Sequence, residues 1–152
     1  NFKKMVVIES LGDESADPVK VQQLKDSGNQ AFQTKNFNEA IKQYSLALEI
    51  QIDDPNTRAI LYSNRSACYI QLNSWNEAIN DATNAINLND KNIKAYHRKA
   101  TAQKKKGELE AAIKTLSIGI SLGDISEITP LQKSLTTFEN ILKKEKNNSS
   151  SQ

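Results

Sequence analysis

Five polar side chains fall on three stretches of helical period, at spacings that let them act together. Lys25 and Asn29 lie four residues apart, as do Lys94 and Arg98, and Asn64 sits on the stretch between them. Four residues is about one helical turn, so each pair shares a stripe. Lys25, Lys94 and Arg98 bring positive charge, and the arginine adds a planar fork that matches a carboxylate through two parallel hydrogen bonds. Asn29 and Asn64 donate amide hydrogens without adding charge, which orients a ligand as well as attracting it. The set suits a ligand that carries more than one carboxylate. On the same helical faces lie Phe32, Ala67, Gln71, Thr101 and Lys105, of which Phe32 offers an apolar surface.

The scaffold for these residues is written in small side chains. Gly28, Ala40 and Ala47 recur as Ser66, Ala78 and Ala85, each 38 residues on, and again as Ala100, Ala112 and Gly119, each 34 residues further. Composition alone would not keep all three offsets twice. Internal spacings of 12 and 7 describe two helices packed closely at fixed points, because small residues sit where helix axes approach. A unit of 34 residues is the length of a tetratricopeptide (TPR) helix-turn-helix repeat. The longer first interval is accounted for by a longer loop, Ile52-Asp53-Asp54-Pro55-Asn56-Thr57.

The helical period predicts pairs at 19–35 and 37–50, at 57–72 and 75–88, and at 92–106 and 109–122. Asn36 with Glu39, and Ser74 with Glu77, have the spacing of capping boxes at the second helix of the first two pairs. Gly107 suits the left-handed end of the fifth helix. Phe37, Trp75 and Leu109 share one repeat position and Leu24, Tyr62 and Tyr96 another; all six are read as core, so the single Trp75 carries no function. After Gly123, Pro130 is expected to open a seventh helix. Its Leu131, Leu135, Phe138, Ile141 and Leu142 lie on one face and would cover the open end of the stack. The expected fold is all-α: a right-handed superhelical solenoid of three TPR repeats plus a C-terminal capping helix, spanning 19–142. The polar segment 143–152 is expected to be disordered. Segment 1–18 reads as a leader or linker, or as the end of a preceding domain; Lys3-Lys4-Met5-Val6-Val7-Ile8 resembles the closing strand of cyclophilin-type prolyl isomerases, some of which carry TPR tails.

Composition narrows the function. A formal charge of +2 over 152 residues is near balance and argues for neither nucleic acid nor membrane insertion. The 38% apolar fraction and mean hydropathy of −0.61 suit stacked helices with a high surface-to-core ratio. Lys104-Lys105-Lys106 ends a helix, where cations complement the dipole, and no set of stacking aromatics accompanies it. Cys68 is the single cysteine, in an apolar helical stretch; it reads as buried packing, and a chain without an internal disulfide fits a reducing, cytoplasmic setting. With one cysteine and one histidine, His97, there is no metal-ligand set. Neither a phosphate-binding glycine loop nor a nucleophile–base pair is present. The chain is therefore expected to be a binding module, not an enzyme, with no cofactor.

Three segments carry a closer resemblance. They read Leu24-Lys25-Asp26-Ser27-Gly28-Asn29, Leu61-Tyr62-Ser63-Asn64-Arg65-Ser66-Ala67 and Asn92-Ile93-Lys94-Ala95-Tyr96-His97-Arg98-Lys99-Ala100. Here the chain resembles the carboxylate-clamp class of TPR domains over about residues 19–125. Those domains bind the C-terminal Glu-Glu-Val-Asp of the 70- and 90-kDa heat-shock chaperones. The resemblance implies that Lys25, Asn29, Asn64 and Lys94 hold the terminal carboxylates, with Lys94 shared with the aspartate side chain and Arg98 nearby on the peptide. It implies that Phe32, Ala67, Gln71, Thr101 and Lys105 contact residues further upstream. It also implies a monomeric co-chaperone, or the docking part of one. The alternatives are a TPR scaffold for a non-chaperone protein, or the docking domain of a larger prolyl isomerase or phosphatase.

Overall fold

The computed structural model describes residues 16–151; the expectations for the segment before Ala16 lie outside the described residues. Among the described residues there are seven α-helices and no strand. They are α1 (Ala16–Gln33), α2 (Phe37–Glu49), α3 (Pro55–Gln71), α4 (Trp75–Leu88), α5 (Ile93–Lys106), α6 (Leu109–Leu122) and α7 (Ile125–Ser150). Helices α1 with α2, α3 with α4, and α5 with α6 form hairpins. Each hairpin packs on the next, and α1, α3, α5 and α7 also touch in sequence along one side. That side is the inner face of an all-α superhelical solenoid.

The small residues stand where the hairpins close. Ala40, Ala78, Ala85, Ala100, Ala112 and Ser66 are fully buried, and Ala47 nearly so. Ser66 keeps its hydroxyl satisfied by donating to the Ala78 carbonyl at 2.7 Å. A Cβ on Gly28 would lie 2.5 Å from the Tyr44 ring, and one on Gly119 would lie 2.7 Å from Leu131. Large side chains from facing helices occupy those gaps, so neither glycine has room to grow. Leu24 and Tyr96 are buried as core, while Phe37, Tyr62, Trp75 and Leu109 are half-buried at the hairpin rims.

Polar side chains cap the starts of α2, α3 and α5. Helix α3 begins at Pro55, because Asp54 accepts from the Thr57 amide at 3.1 Å and from its hydroxyl at 2.6 Å. Those two bonds hold the Asp54 carboxyl below its usual value. Helix α1 already includes Ala16, the first described residue, ahead of the expected 19, and it takes in Pro18. Asn36 caps α2 through the Glu39 amide, but Ser74 makes no side-chain cap bond, against the expected box with Glu77. A reciprocal capping box stands instead at Asp124 and Glu127. It starts α7 at Ile125 and leaves Pro130 inside the helix, not at its opening. Pro130 deprives only the Ser126 carbonyl of a backbone donor, and Ser126 is exposed. Helix α7 then runs through the segment expected to be disordered, as far as Ser150. Lysine and glutamate are good helix formers, and a helix already nucleated by packing propagates at little cost. Ser149 and Ser150 also bond back to carbonyls four residues earlier, at 3.0 and 2.9 Å.

The three inner helices before α7 end alike. Lys35, Asn73 and Gly107 occupy one repeat position and all have left-handed backbones, with φ of 60°, 58° and 97°. Glycine fits without strain and asparagine tolerates the region, whereas lysine crowds its Cβ against the carbonyl. Lys35→Gly should therefore raise stability by about 1 kcal/mol. Chemical denaturation would check this, and an unchanged midpoint would mean that the turn relaxes around the lysine.

Candidate functional site

Asn29, Asn64 and Arg98 meet where α1, α3 and α5 lie side by side. Arg98 Nη1 donates to the Ser63 hydroxyl at 2.6 Å and to Asn64 Oδ1 at 3.3 Å. Asn64 Nδ2 donates to Asn29 Oδ1 at 3.2 Å. Tyr44, reaching across from α2, donates its hydroxyl to the same Asn29 oxygen at 2.5 Å. Asn29, Tyr44, Asn64 and Arg98 line a cleft of about 230 Å³ together with Phe32, Gln33 and Ala67.

Arg98 sets the electrostatics of the cleft. Among the described residues the ion pairs are Arg65 with Asp81 and Lys106 with Glu108, so no carboxylate reaches Arg98. Burial pushes its guanidinium below the ordinary arginine value. A half-buried cation supported only by neutral oxygens attracts any anion that can enter. Arg65, one residue after Asn64, does a different job. It holds buried Asp81 bidentately at 2.7 and 2.8 Å, and donates to Ser45 at 3.0 Å. Its guanidinium lies over the Tyr62 ring at 5.5 Å. It ties α3 to α2 and α4 and takes no part in the cleft.

The remaining candidates are spread around this centre. Exposed Lys94 lines a second cleft of about 480 Å³, which shares Arg98 with the first and also carries Lys91, His97, Glu127 and Leu131. Lys25 is half-buried on α1, one turn before Asn29, and lines neither cleft. Of the flanking positions, Phe32 and Ala67 line the first cleft; Gln71, Thr101 and Lys105 line neither. Gln71 and Lys105 are exposed near the ends of their helices, and Thr101 donates its hydroxyl to the His97 carbonyl at 2.8 Å. Cys68 is fully buried and its thiol is pushed up to about 12 by burial, which rules it out as a nucleophile at neutral pH.

Tyr44, Ser63 and Gln33 escaped the sequence reading. Tyr44 left a usable signal. Its repeat equivalents are Ala82 and Leu116, and the facing small positions are Gly28, Ser66 and Ala100. The largest side chain stands opposite the smallest, which marks a ring driven into the helix interface.

His97 is half-buried on α5, with Nε2 3.1 Å from the Ser134 hydroxyl of α7. Burial, then Arg98, lowers its pKa. Lys94 on its own helix and Lys91 in the preceding turn add positive charge to the same cleft, and Glu127 on α7 opposes them. The neutral ring is favoured in the fold, so the unfolded chain binds the proton first as pH falls. Stability should be intact above the ordinary histidine range and decline as pH falls through and below it. Thermal melts above and below that range would show this, and His97→Gln should flatten the dependence.

Residues 93–125 match the family model for the tetratricopeptide repeat. Protein unc-45 homolog B of Xenopus tropicalis is 43% identical over 98 residues, covering 64% of this chain and 10% of that protein. The chain thus spans about a tenth of the length of that curated relative. The first TPR of Spaghetti (RPAP3), solved bound to HSP90 peptide SRMEEVD, matches with a TM-score of 0.72 and 28% identity, covering 81% of this chain and 95% of that one. The Hsp90 co-chaperone Cns1 from Saccharomyces cerevisiae matches with a TM-score of 0.76 and 26% identity, covering 89% and 44%. The described residues form a tetratricopeptide-repeat solenoid, and the solved structures similar to it include a TPR domain bound to an HSP90 peptide and an Hsp90 co-chaperone. No helix among the described residues is long and apolar enough to cross a membrane.

Proposed function

We propose that this domain is an adaptor that docks the acidic C-terminal tail of a 70- or 90-kDa heat-shock chaperone, as a co-chaperone or as the docking part of one. The observation that carries the reading is Arg98, a half-buried guanidinium with no carboxylate partner among the described residues, at the end of a hydrogen-bonded row with Asn64 and Asn29. A chain-terminal aspartate supplies two carboxylates from one residue. One fits the row of donors, and the other lies within reach of Lys94 on the adjoining cleft. Lys25, on the turn before Asn29, adds charge from the α1 side. Phe32 and Ala67 offer apolar contact to the valine or methionine that precedes the terminus. The HSP90 peptide held by the RPAP3 domain ends in the same acidic sequence. In this reading the domain is a cytoplasmic binding module and not a catalyst.

The test is titration with the peptide Ser-Arg-Met-Glu-Glu-Val-Asp as the free acid and with its C-terminus amidated. The free acid should bind, and amidation should weaken it at least about tenfold, the value of one charge-assisted hydrogen bond. Equal affinities would sink the reading.

A further inference from the structure

The row of hydrogen bonds in the first cleft has a direction. Asn29 Oδ1 accepts twice, from the Tyr44 hydroxyl and from Asn64 Nδ2. Asn64 Oδ1 accepts from Arg98, whose Nη1 also donates to Ser63. Both amide oxygens are therefore occupied inside the protein. What remains for a ligand is hydrogen: two on Asn29 Nδ2, one on Asn64 Nδ2 and the rest of the Arg98 fork. An asparagine is otherwise indifferent to which end it presents. Turned over, Asn29 would offer its oxygen to a ligand carboxylate, and the attraction would become repulsion.

We propose that Tyr44 is a positioning residue that fixes Asn29 with its amide nitrogen outward, and so makes the cleft a donor-only surface selective for a carboxylate over a carboxamide. This rests on the proposed recognition of a free C-terminus. Three observations carry it. The Tyr44 ring is buried and wedged against Gly28, where no Cβ would fit, so its hydroxyl has a fixed aim. The hydroxyl donates to Asn29 Oδ1 at 2.5 Å, and the phenol, protonated at neutral pH in any case, is raised further by burial to about 12. Among the described residues no other side chain besides Asn64 donates to Asn29 Oδ1, and Asn64 is itself held through Arg98. Arg98 is a group a ligand engages, whereas Tyr44 is the fixed end of the row.

Tyr44→Phe keeps the ring and its packing and removes only the donor. It should weaken the free-acid peptide about tenfold, the value of roughly one charge-assisted hydrogen bond. The amidated peptide should be unaffected or slightly favoured, because a turned Asn29 can accept from its terminal N–H. The ratio of the two affinities should thus collapse by about tenfold. A merely structural tyrosine would lower both affinities alike and leave the ratio intact, and that outcome overturns the proposal, as does an unchanged affinity for both. A second measurement stands apart from affinity. The side-chain amide protons of Asn29 should move in NMR spectra when free-acid peptide is added to the native protein, and move far less in Tyr44→Phe. Failure of the free-acid peptide to bind the native protein would overturn the clamp and the positioning together; binding with an unaltered ratio overturns the positioning alone.

Discussion

Arg98→Ala should lower affinity for the free-acid chaperone peptide by tenfold to more than a hundredfold without lowering the melting temperature. Each charge-assisted hydrogen bond lost costs about 1.5–3 kcal/mol, at ~1.4 kcal/mol per tenfold. Lys94→Ala should weaken binding in the same sense through its lost charge, and added salt should screen what remains. The unaltered melting follows from the environment of Arg98. Its guanidinium is desolvated without a counterion among the described residues, so removing it also removes that cost. Ser63 and Asn64 each lose a donor; the Ser63 hydroxyl can turn to a carbonyl of its own helix, and the half-buried Asn64 oxygen can take a hydrogen from water. Arg65 is the internal comparison. It is paired bidentately with buried Asp81, and Asp81→Ala would strand that arginine, the kind of change that costs about 3–5 kcal/mol. Calorimetric titration paired with thermal melts would separate the two arginines. Full binding by Arg98→Ala would show that the groove does not use this cation.

Ending the chain before Pro130 should produce the largest loss of stability and promote self-association. Leu131 and Phe138 are buried against Tyr96, Ala100, Ala112 and Leu116, with Leu135 packed beside them. Burial of each such side chain is worth about 1.5–3 kcal/mol before entropy is subtracted. A domain's whole stability is only about 5–15 kcal/mol, so losing this face takes a large part of it. The truncation would also uncover Gly119, which Leu131 now covers, and the buried Tyr96 of the same cluster, and an apolar end of a solenoid pairs readily with a second copy. Thermal melts and sedimentation would check both effects. Removing 147–152 alone should change neither, because those of its residues whose burial is described are all exposed. A truncated protein that melts like the native one and stays monomeric would mean that α7 covers nothing.

The repeat was legible because its cause is local and periodic. A small residue where two helices cross leaves the same trace in every unit, so Gly28, Ala40 and Ala47 and their equivalents mark the hairpins in the sequence itself. The apolar stripe from Leu131 to Leu142 announced α7 in the same way. Boundaries were less legible. Pro130 reads as a helix opening, and only the reciprocal bonds of Asp124 and Glu127 carry the start back to Ile125. The exposed tail gave no apolar pattern, so its helicity had no signature beyond propensity. Lys35 gave no sign of its left-handed backbone until Gly107 supplied the repeat position.

For the cleft, the sequence by itself determined which side chains stand on the inner helices and that they are cations and amides. It could not determine what each one touches. Adjacent residues Asn64 and Arg65 are turned about 100° apart on α3, one into the row of donors and the other onto Asp81. Lys25 and Lys94 are of one type, yet only Lys94 lines a cleft. Which cation is paired, and which way an amide faces, depend on groups far away in the chain: Tyr44 is 15 residues from Asn29, and Asn64 is 34 from Arg98. Helical period is a property of neighbours along the chain. Hydrogen-bond direction is decided by whichever donor the packing brings from elsewhere, and only the tertiary structure brings Tyr44 to Asn29.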